Sequence, residues 1–268
     1  MWETLIIQPF INILLVIYQY LGQNFGIAII LFTILIRLAS FPLTRKQMQS
    51  SKAMQDMNND PEWKKIQEKY KDDREKLAQE QMKFYQEKGI SPFASCLPTL
   101  IQFPLILGLY QSVIRTMAQT PMQMFELTKL VYKGDFWFST DLLPLNSKFL
   151  WMNLGQPDLL EVNFLPFAIP IMAVLVAITS YMQSRLLTPP TTPGSGGQQD
   201  QTAMMSQTMS IYMPLFMAYL AYTLASGLSL YFLVGNLIGI AQYGLMGHAH
   251  WENLMFWKRP TPPEKREK

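Results

Sequence analysis

Of 268 residues, 49% are hydrophobic and only 15% are charged, against about a quarter charged in a soluble domain, so an ordinary soluble chain is excluded and lipid is indicated. A net charge of +3 and a pI near 8.8 are too mild for a nucleic-acid binder, although they suit an anionic surface of lipid or ribosome. The single cysteine, Cys96, forms no intrachain disulfide, and the neighbouring His248 and His250 make a poor metal site, so no metal, cofactor or redox centre is expected.

Residues 1–23 are apolar but interrupted by Gln8, Pro9, Asn12 and Gln19, and they lack the basic start and cleavage site of a signal peptide. They fit an amphipathic helix on the outer face better than a span, with a span over residues 5–21 as the alternative. A span needs about 20 apolar residues, and five are expected at 24–42, 92–118, 165–187, 208–226 and 227–247, the last two joined by a tight turn at Ser226-Gly227. The loop 43–91 holds eleven of the 22 Lys and Arg residues, whereas segment 119–164 holds only Lys129, Lys133 and Lys148. The tail 248–268 adds Lys258, Arg259, Lys265, Arg266 and Lys268. Because basic loops stay inside, loop and tail are expected in the cytoplasm and the N-terminus, free of Lys and Arg, outside.

Within 43–91, Trp63, Ile66, Tyr70, Leu77 and Phe84 recur at helical spacing, the pattern of an amphipathic helix. Asp60 is its expected N-cap, with Pro61 at the first helical position and Gly89 closing it. A shorter helix over Leu43–Met57 would complete an antiparallel helical hairpin. The composition of 188–207 (TPPTTPGSGGQQDQ at its start) is that of a flexible linker, and the C-terminal RPTPPEKREK has no apolar pattern to fold around.

Arg37 is the charge set inside an apolar stretch, ILFTILIRLASFPLTRKQ. At a helix centre such a charge costs roughly 2.5–3.5 kcal/mol, so it faces either a watery protein interior or, by snorkelling, the headgroups beyond Pro42; these two readings stand level on physics alone. Thr33 lies one turn earlier on the same face. Gln102, Ser180, Gln183, Tyr231, Asn236 and Gln242 are further polar residues in the spans, where interhelical hydrogen bonding is their ordinary role. The spans contain no Asp or Glu, which argues against a proton-coupled transporter. The chain also lacks a phosphate-binding loop, a zinc-protease helix and a nucleophile triad, so it is not read as an enzyme. The 18 methionines suit flexible packing, or a surface that accepts varied apolar segments.

Three stretches together carry a resemblance: NFGIAIILFTILIRLASFPLTRKQMQSSKAMQ, KIQEKYKDDREKLAQEQMKFYQEKGISPFASCLPTLIQFPLILGLY and MPLFMAYLAYTLASGLSLYFLVGNLIGIAQ. They resemble the YidC/Oxa/Alb family of membrane-protein insertases, most closely its bacterial five-span members, over most of Asn24 to Gln242. The resemblance implies an all-α membrane protein with five transmembrane helices around a cytoplasm-open hydrophilic groove and a cytoplasmic helical hairpin. Arg37 matches the groove arginine, and Thr33, Gln102, Tyr231 and Asn236 match positions on or near the groove helices. The implied task is to move short hydrophilic flanks of nascent proteins across the bacterial inner membrane and release their hydrophobic segments into lipid, without nucleotide hydrolysis. Implied partners are nascent membrane proteins, the bilayer, the ribosome, the signal recognition particle receptor and the Sec translocon, with no small-molecule substrate. Segment 119–164 is longer than the family minimum, and the large periplasmic domain of many Gram-negative members has no counterpart here.

Overall fold

The computed structural model describes residues 1–58, 60–70, 73–89, 97–118, 120–133, 143–159, 169–187 and 201–246. Cys96, His248, His250, the linker up to 200 and the tail lie outside them, as do the side chains at 97–102 and 201–210. A π-helical turn, Glu3–Ile7, leads into α1 (Gln8–Tyr20), followed by α2 (Phe25–Ala39), α3 (Phe41–Asn58), α4 (Pro61–Lys69) and α5 (Arg74–Glu87). Then come α6 (Leu97–Thr116), α7 (Pro121–Leu130), a hairpin of β1 (Lys148–Phe149) and β2 (Met152–Asn153), and finally α8 (Ile171–Leu187), α9 (Gln201–Thr223) and α10 (Ser226–Leu245). The chain divides into two units. One comprises Met1–Arg37, Leu105–Ser195 and Gln199–Lys268, and the other is essentially Leu38–Pro104.

The first unit buries a continuous apolar core: Ile7 of the π-helical turn, Ile11 and Leu14 of α1, Phe25, Ile29 and Phe32 of α2, Leu109 and Val113 of α6, Val176 of α8, and Leu228 and Phe232 of α10. Its outer surface is also apolar. Ile211, Leu215, Phe216, Tyr219 and Tyr222 of α9 are all exposed, a face that water would not tolerate but lipid solvates. The stretches Glu3–Tyr20, of 18 residues, and Ser226–Leu245, of 20, are long and apolar enough to cross a membrane, whereas Ile171–Leu186 and Ile211–Thr223 are shorter.

Polar side chains tie this unit together where apolar packing is least selective. Asn12 is fully buried on α1; its Nδ2 donates to Leu130 O at 2.9 Å and to Gln8 O at 2.7 Å, and its Oδ1 accepts from Tyr132 N at 2.7 Å. One amide thus fastens α1 to the end of α7. Asp158, only 5% exposed, accepts from Met172 N at 2.8 Å and from Trp151 Nε1 at 3.1 Å. Its charge meets the N–H groups and positive dipole end of α8. The start of α10 is sealed by backbone carbonyls: Ser226 N donates to Gln156 O at 2.7 Å, Gly227 N to Leu154 O at 3.0 Å, and Ser226 Oγ to Asn153 O at 2.8 Å. Gly227 eases the close approach, since a Cβ there would stand tightly, 3.1 Å from Leu154 O and 3.0 Å from Val113 Cγ1.

In the second unit, Asp60 caps α4 as the sequence indicates, accepting from Glu62 N at 2.9 Å with Pro61 in the first turn. The helix expected to run on through Phe84 is two helices. α4 ends at Lys69, and Asp73 starts α5 by accepting from Lys76 N at 3.1 Å. A capping aspartate within Lys-Asp-Asp-Arg-Glu-Lys favours a new helix start over an unbroken helix. The apolar stripe therefore closes between α4 and α5, as Trp63 against Phe84 at 5.7 Å between ring centroids, with Tyr85, Ile66 and Leu77 around them.

Other boundaries also move. The expected span 24–42 breaks at Ser40, because Pro42 has no N–H to donate to Leu38 O. α9 starts at Gln201, inside the expected linker 188–207, where Ala203, Met204 and Met205 are good helix formers. The turn between the last two helices is Leu224-Ala225 rather than Ser226-Gly227, and α8 starts only after Pro170. The all-α expectation gains a two-stranded sheet, Lys148 facing Asn153 and Phe149 facing Met152.

Asn12→Ala should destabilise the purified protein by about 1–3 kcal/mol, since Leu130 O and Tyr132 N lose their partner in a dry interior; thermal unfolding in detergent measures this. In the second unit, the Glu62 N–H, and after it Lys88 at 3.2 Å, hold the Asp60 carboxyl below its ordinary range. The cap is therefore fully present above the ordinary aspartate pKa and is lost as pH falls through the lower folded value. A carboxyl NMR titration should find Asp60 titrating low, with Lys88→Ala moving it only part of the way back.

Candidate functional site

α2, α8 and α10 bring the polar groups of the first unit to one seam. α10 supplies a buried stripe at helical spacing, Gly235, Gly239, Gln242 and Tyr243. Arg37, half-buried in the last turn of α2, rests the Nε–Nη2 edge of its guanidinium against this stripe. A Cβ at Gly235 would come within 2.8 Å of Arg37 Nη2, 3.4 Å of Nε and 3.6 Å of Cζ. Tyr243, two turns further along α10, lies within electrostatic reach of the same guanidinium. A cation in the last helical turn also faces the negative end of the α2 dipole, which favours the charge there.

α8 adds hydroxyls and an amide. Asn236 Nδ2 donates to Ser180 Oγ at 2.7 Å and to Thr179 Oγ1 at 3.1 Å. Gln183, one turn beyond Thr179 and Ser180, rests on the other glycine, with its Nε2 2.5 Å from where a Gly239 Cβ would be. Hydroxyls, amides and a guanidinium thus meet α10 over Gly235–Gly239, in helices that are otherwise largely apolar. The sequences of α2, α8, α9 and α10 contain no carboxylate. Such a strip can solvate and hydrogen-bond a polar chain segment and can attract an acidic one.

The five expected site residues fare differently. Arg37 and Asn236 lie on the seam. Tyr231 is buried at 3% exposure on α10, with its ring 5.8 Å from Phe232. Thr33 is 0% exposed, and its hydroxyl donates at 2.7 Å to Ile29 O of its own helix. It therefore does not extend Arg37 into an open polar stripe; a Thr hydroxyl in a helix readily bonds back one turn, which hides its polarity from the surroundings. Gln102 belongs to α6, and its side chain lies outside the described residues. Reading the sequence missed Thr179, Gly235, Gly239 and Tyr243. The signal for the glycines was present as GNLIG at 235–239, a small-xxx-small spacing that lets neighbours approach the helix backbone.

Arg37 is also not the only basic residue in the expected spans. Arg115 and Arg185 fall within 92–118 and 165–187, each in the last turn of its helix. Arg115 pairs with Glu3, and Arg185 Nε donates to the Tyr181 hydroxyl at 2.8 Å.

Asn236→Ala should cost about 0.6 kcal/mol, and at most about 1.7, the range of interhelical hydrogen bonds in membranes. A double-mutant cycle with Ser180→Ala, read by unfolding in detergent, should assign most of that to this pair.

A family model described as 60Kd inner membrane protein matches residues 16–251. Membrane protein insertase YidC 2 of Bacillus anthracis is 34% identical over 249 residues, covering 91% of this chain and 80% of its own length. Membrane protein insertase MisCA of Bacillus subtilis (strain 168) is 34% identical over 245 residues, covering 90% and 77% respectively. A crystal structure of an active YidC insertase with the first transmembrane domain resolved is 27% identical, with a TM-score of 0.47; the match covers 83% of this chain and 42% of that one.

Proposed function

Since the chain belongs to the YidC/Oxa/Alb family of membrane-protein insertases, we propose that it inserts nascent membrane proteins by guiding a hydrophilic flank along the seam of α2, α8 and α10. The observation that carries this reading is the Arg37 guanidinium held on α10 at Gly235, the residue before Asn236, whose amide bonds Thr179 and Ser180 of α8. The client flank enters from the cytoplasm, and the polar strip shortens the low-dielectric distance it must cross. Arg37 forms a charge-assisted hydrogen bond to an acidic residue of the flank. The client's hydrophobic segment partitions into lipid beside the apolar face of α9, and that burial drives the step. The membrane potential adds about 2.3 kcal/mol per 100 mV for each negative charge moved outward. No nucleotide is consumed.

In this reading five spans leave the N-terminus outside and place the loop 43–91 and the tail in the cytoplasm, where they meet the ribosome, the signal recognition particle receptor and the Sec translocon. An outer-face position for α1 is supported by its bonds to Leu130, Tyr132 and Asn146, all of the segment expected outside. Thr33, Tyr231 and Gln102 serve as wall positions of the groove helices.

The test is insertion of a single-span substrate into liposomes holding the purified chain alone. A charge-assisted hydrogen bond is worth about 1.5–3 kcal/mol, so Arg37→Ala should slow insertion of an acidic flank roughly ten- to hundredfold, with a neutral flank much less affected. Arg37→Lys should retain most activity. Wild-type insertion by Arg37→Ala across several acidic substrates would remove the charge from the mechanism, and a wild-type chain that inserts nothing without another translocase would make it a scaffold.

A further inference from the structure

We propose that Gly235 and Gly239 are positioning residues, a pair of bare patches on α10 that fix where the Arg37 guanidinium and the Gln183 amide lie. A small-xxx-small spacing ordinarily brings two helix backbones together. Here the groups lying on the two glycines are the tips of polar side chains from two different helices, Arg37 from α2 and Gln183 from α8. Three guanidinium atoms, Nη2, Nε and Cζ, lie within 3.6 Å of the Gly235 Cβ position, and three amide atoms of Gln183 lie within 3.6 Å of the Gly239 one. Any side chain at either position would therefore occupy the place of the polar group.

The atoms that must give way are the ends of long flexible side chains rather than backbone. Alanine at Gly235 is accordingly compatible with the fold, and it favours helix over glycine. What it changes is the guanidinium, which moves off α10 into another rotamer. Position and stability are thus separable at this residue, and this distinguishes a seat for Arg37 from a general packing role. The seat follows from the geometry alone; its importance for insertion rests on the groove reading above.

The experiment is phenylglyoxal modification of the full chain in phosphatidylethanolamine–phosphatidylglycerol liposomes, with adducts at each arginine quantified by peptide mass spectrometry. In Gly235→Ala the rate at Arg37 should rise at least about twofold as the guanidinium takes a new rotamer. The rates at Arg115 and Arg185 should stay at wild-type values, with no loss of thermal stability. Gly239→Ala, which displaces Gln183 instead, should leave Arg37 labelling unchanged. A smaller rise in Gly235→Ala, or an equal rise in both variants, overturns the proposal. Insertion is measured in parallel: if Arg37→Ala is defective but Gly235→Ala inserts an acidic flank at the wild-type rate despite faster labelling, the seat has no part in function. Normal insertion by Arg37→Ala itself would overturn the groove reading and leave the labelling result intact.

Discussion

The first backbone N–H groups of a helix have no partner within it, and lipid supplies none. α10 meets this constraint at its most enclosed point, where Ser226 through Phe232 are buried. The carbonyls of Leu154 and Gln156 answer it, with that of Asn153 holding the Ser226 hydroxyl beside them, and much of the rest follows from that arrangement. It requires the strand β2 and the turn after it to be folded against the bundle, and it favours a glycine at position 227. Asp158, in the same turn region, performs the equivalent service for α8. Residues 153–158 thus supply acceptors to the first turns of two apolar helices.

Once the start of α10 is fixed, the positions of its later residues are set by helical geometry alone. Gly235, Gly239, Gln242 and Tyr243 must then share one face, the face that receives Arg37 and Gln183. Asn236, one residue on, turns toward α8 and finds Thr179 and Ser180. The polar seam is therefore a consequence of one helix's registration more than of any single polar residue. Its residues satisfy one another where they can, as Asn236 does. This keeps the cost of polar groups in an apolar bundle small.

How much of this was legible in the sequence depends on the range of the interaction. Apolar runs, the Asp60 cap and the amphipathic spacing from Trp63 to Phe84 are local signals, and they gave the helices and their apolar faces. The break at Tyr70–Asp73 was missed because apolar periodicity does not reveal that a capping aspartate outcompetes helix continuation. The bonds that tie Asn12 to Tyr132, Asp158 to Met172 and Asn236 to Thr179 span 120, 14 and 57 residues, and no spacing rule reaches that far. Thr33 shows a different limit: spacing places it on the face of Arg37 but does not reveal that its hydroxyl bonds Ile29 O of its own helix. Arg37 was identifiable as costly from its setting, but the glycine that seats it was visible only as a spacing whose usual meaning is different.

Asn12 bears on assembly as well as stability. Lipid chains and leucine side chains attract a helix about equally, so apolar packing in a bilayer barely distinguishes one sliding position of α1 from the next. A shift of one residue turns its face by about 100°. It would bring Ile11 or Ile13 to the spot, orphaning an acceptor at Leu130 and a donor at Tyr132 together. One buried amide with both ends engaged therefore acts as a proofreading element: the misaligned alternatives are nearly as apolar, but each leaves a hydrogen-bonding debt that only the correct alignment discharges.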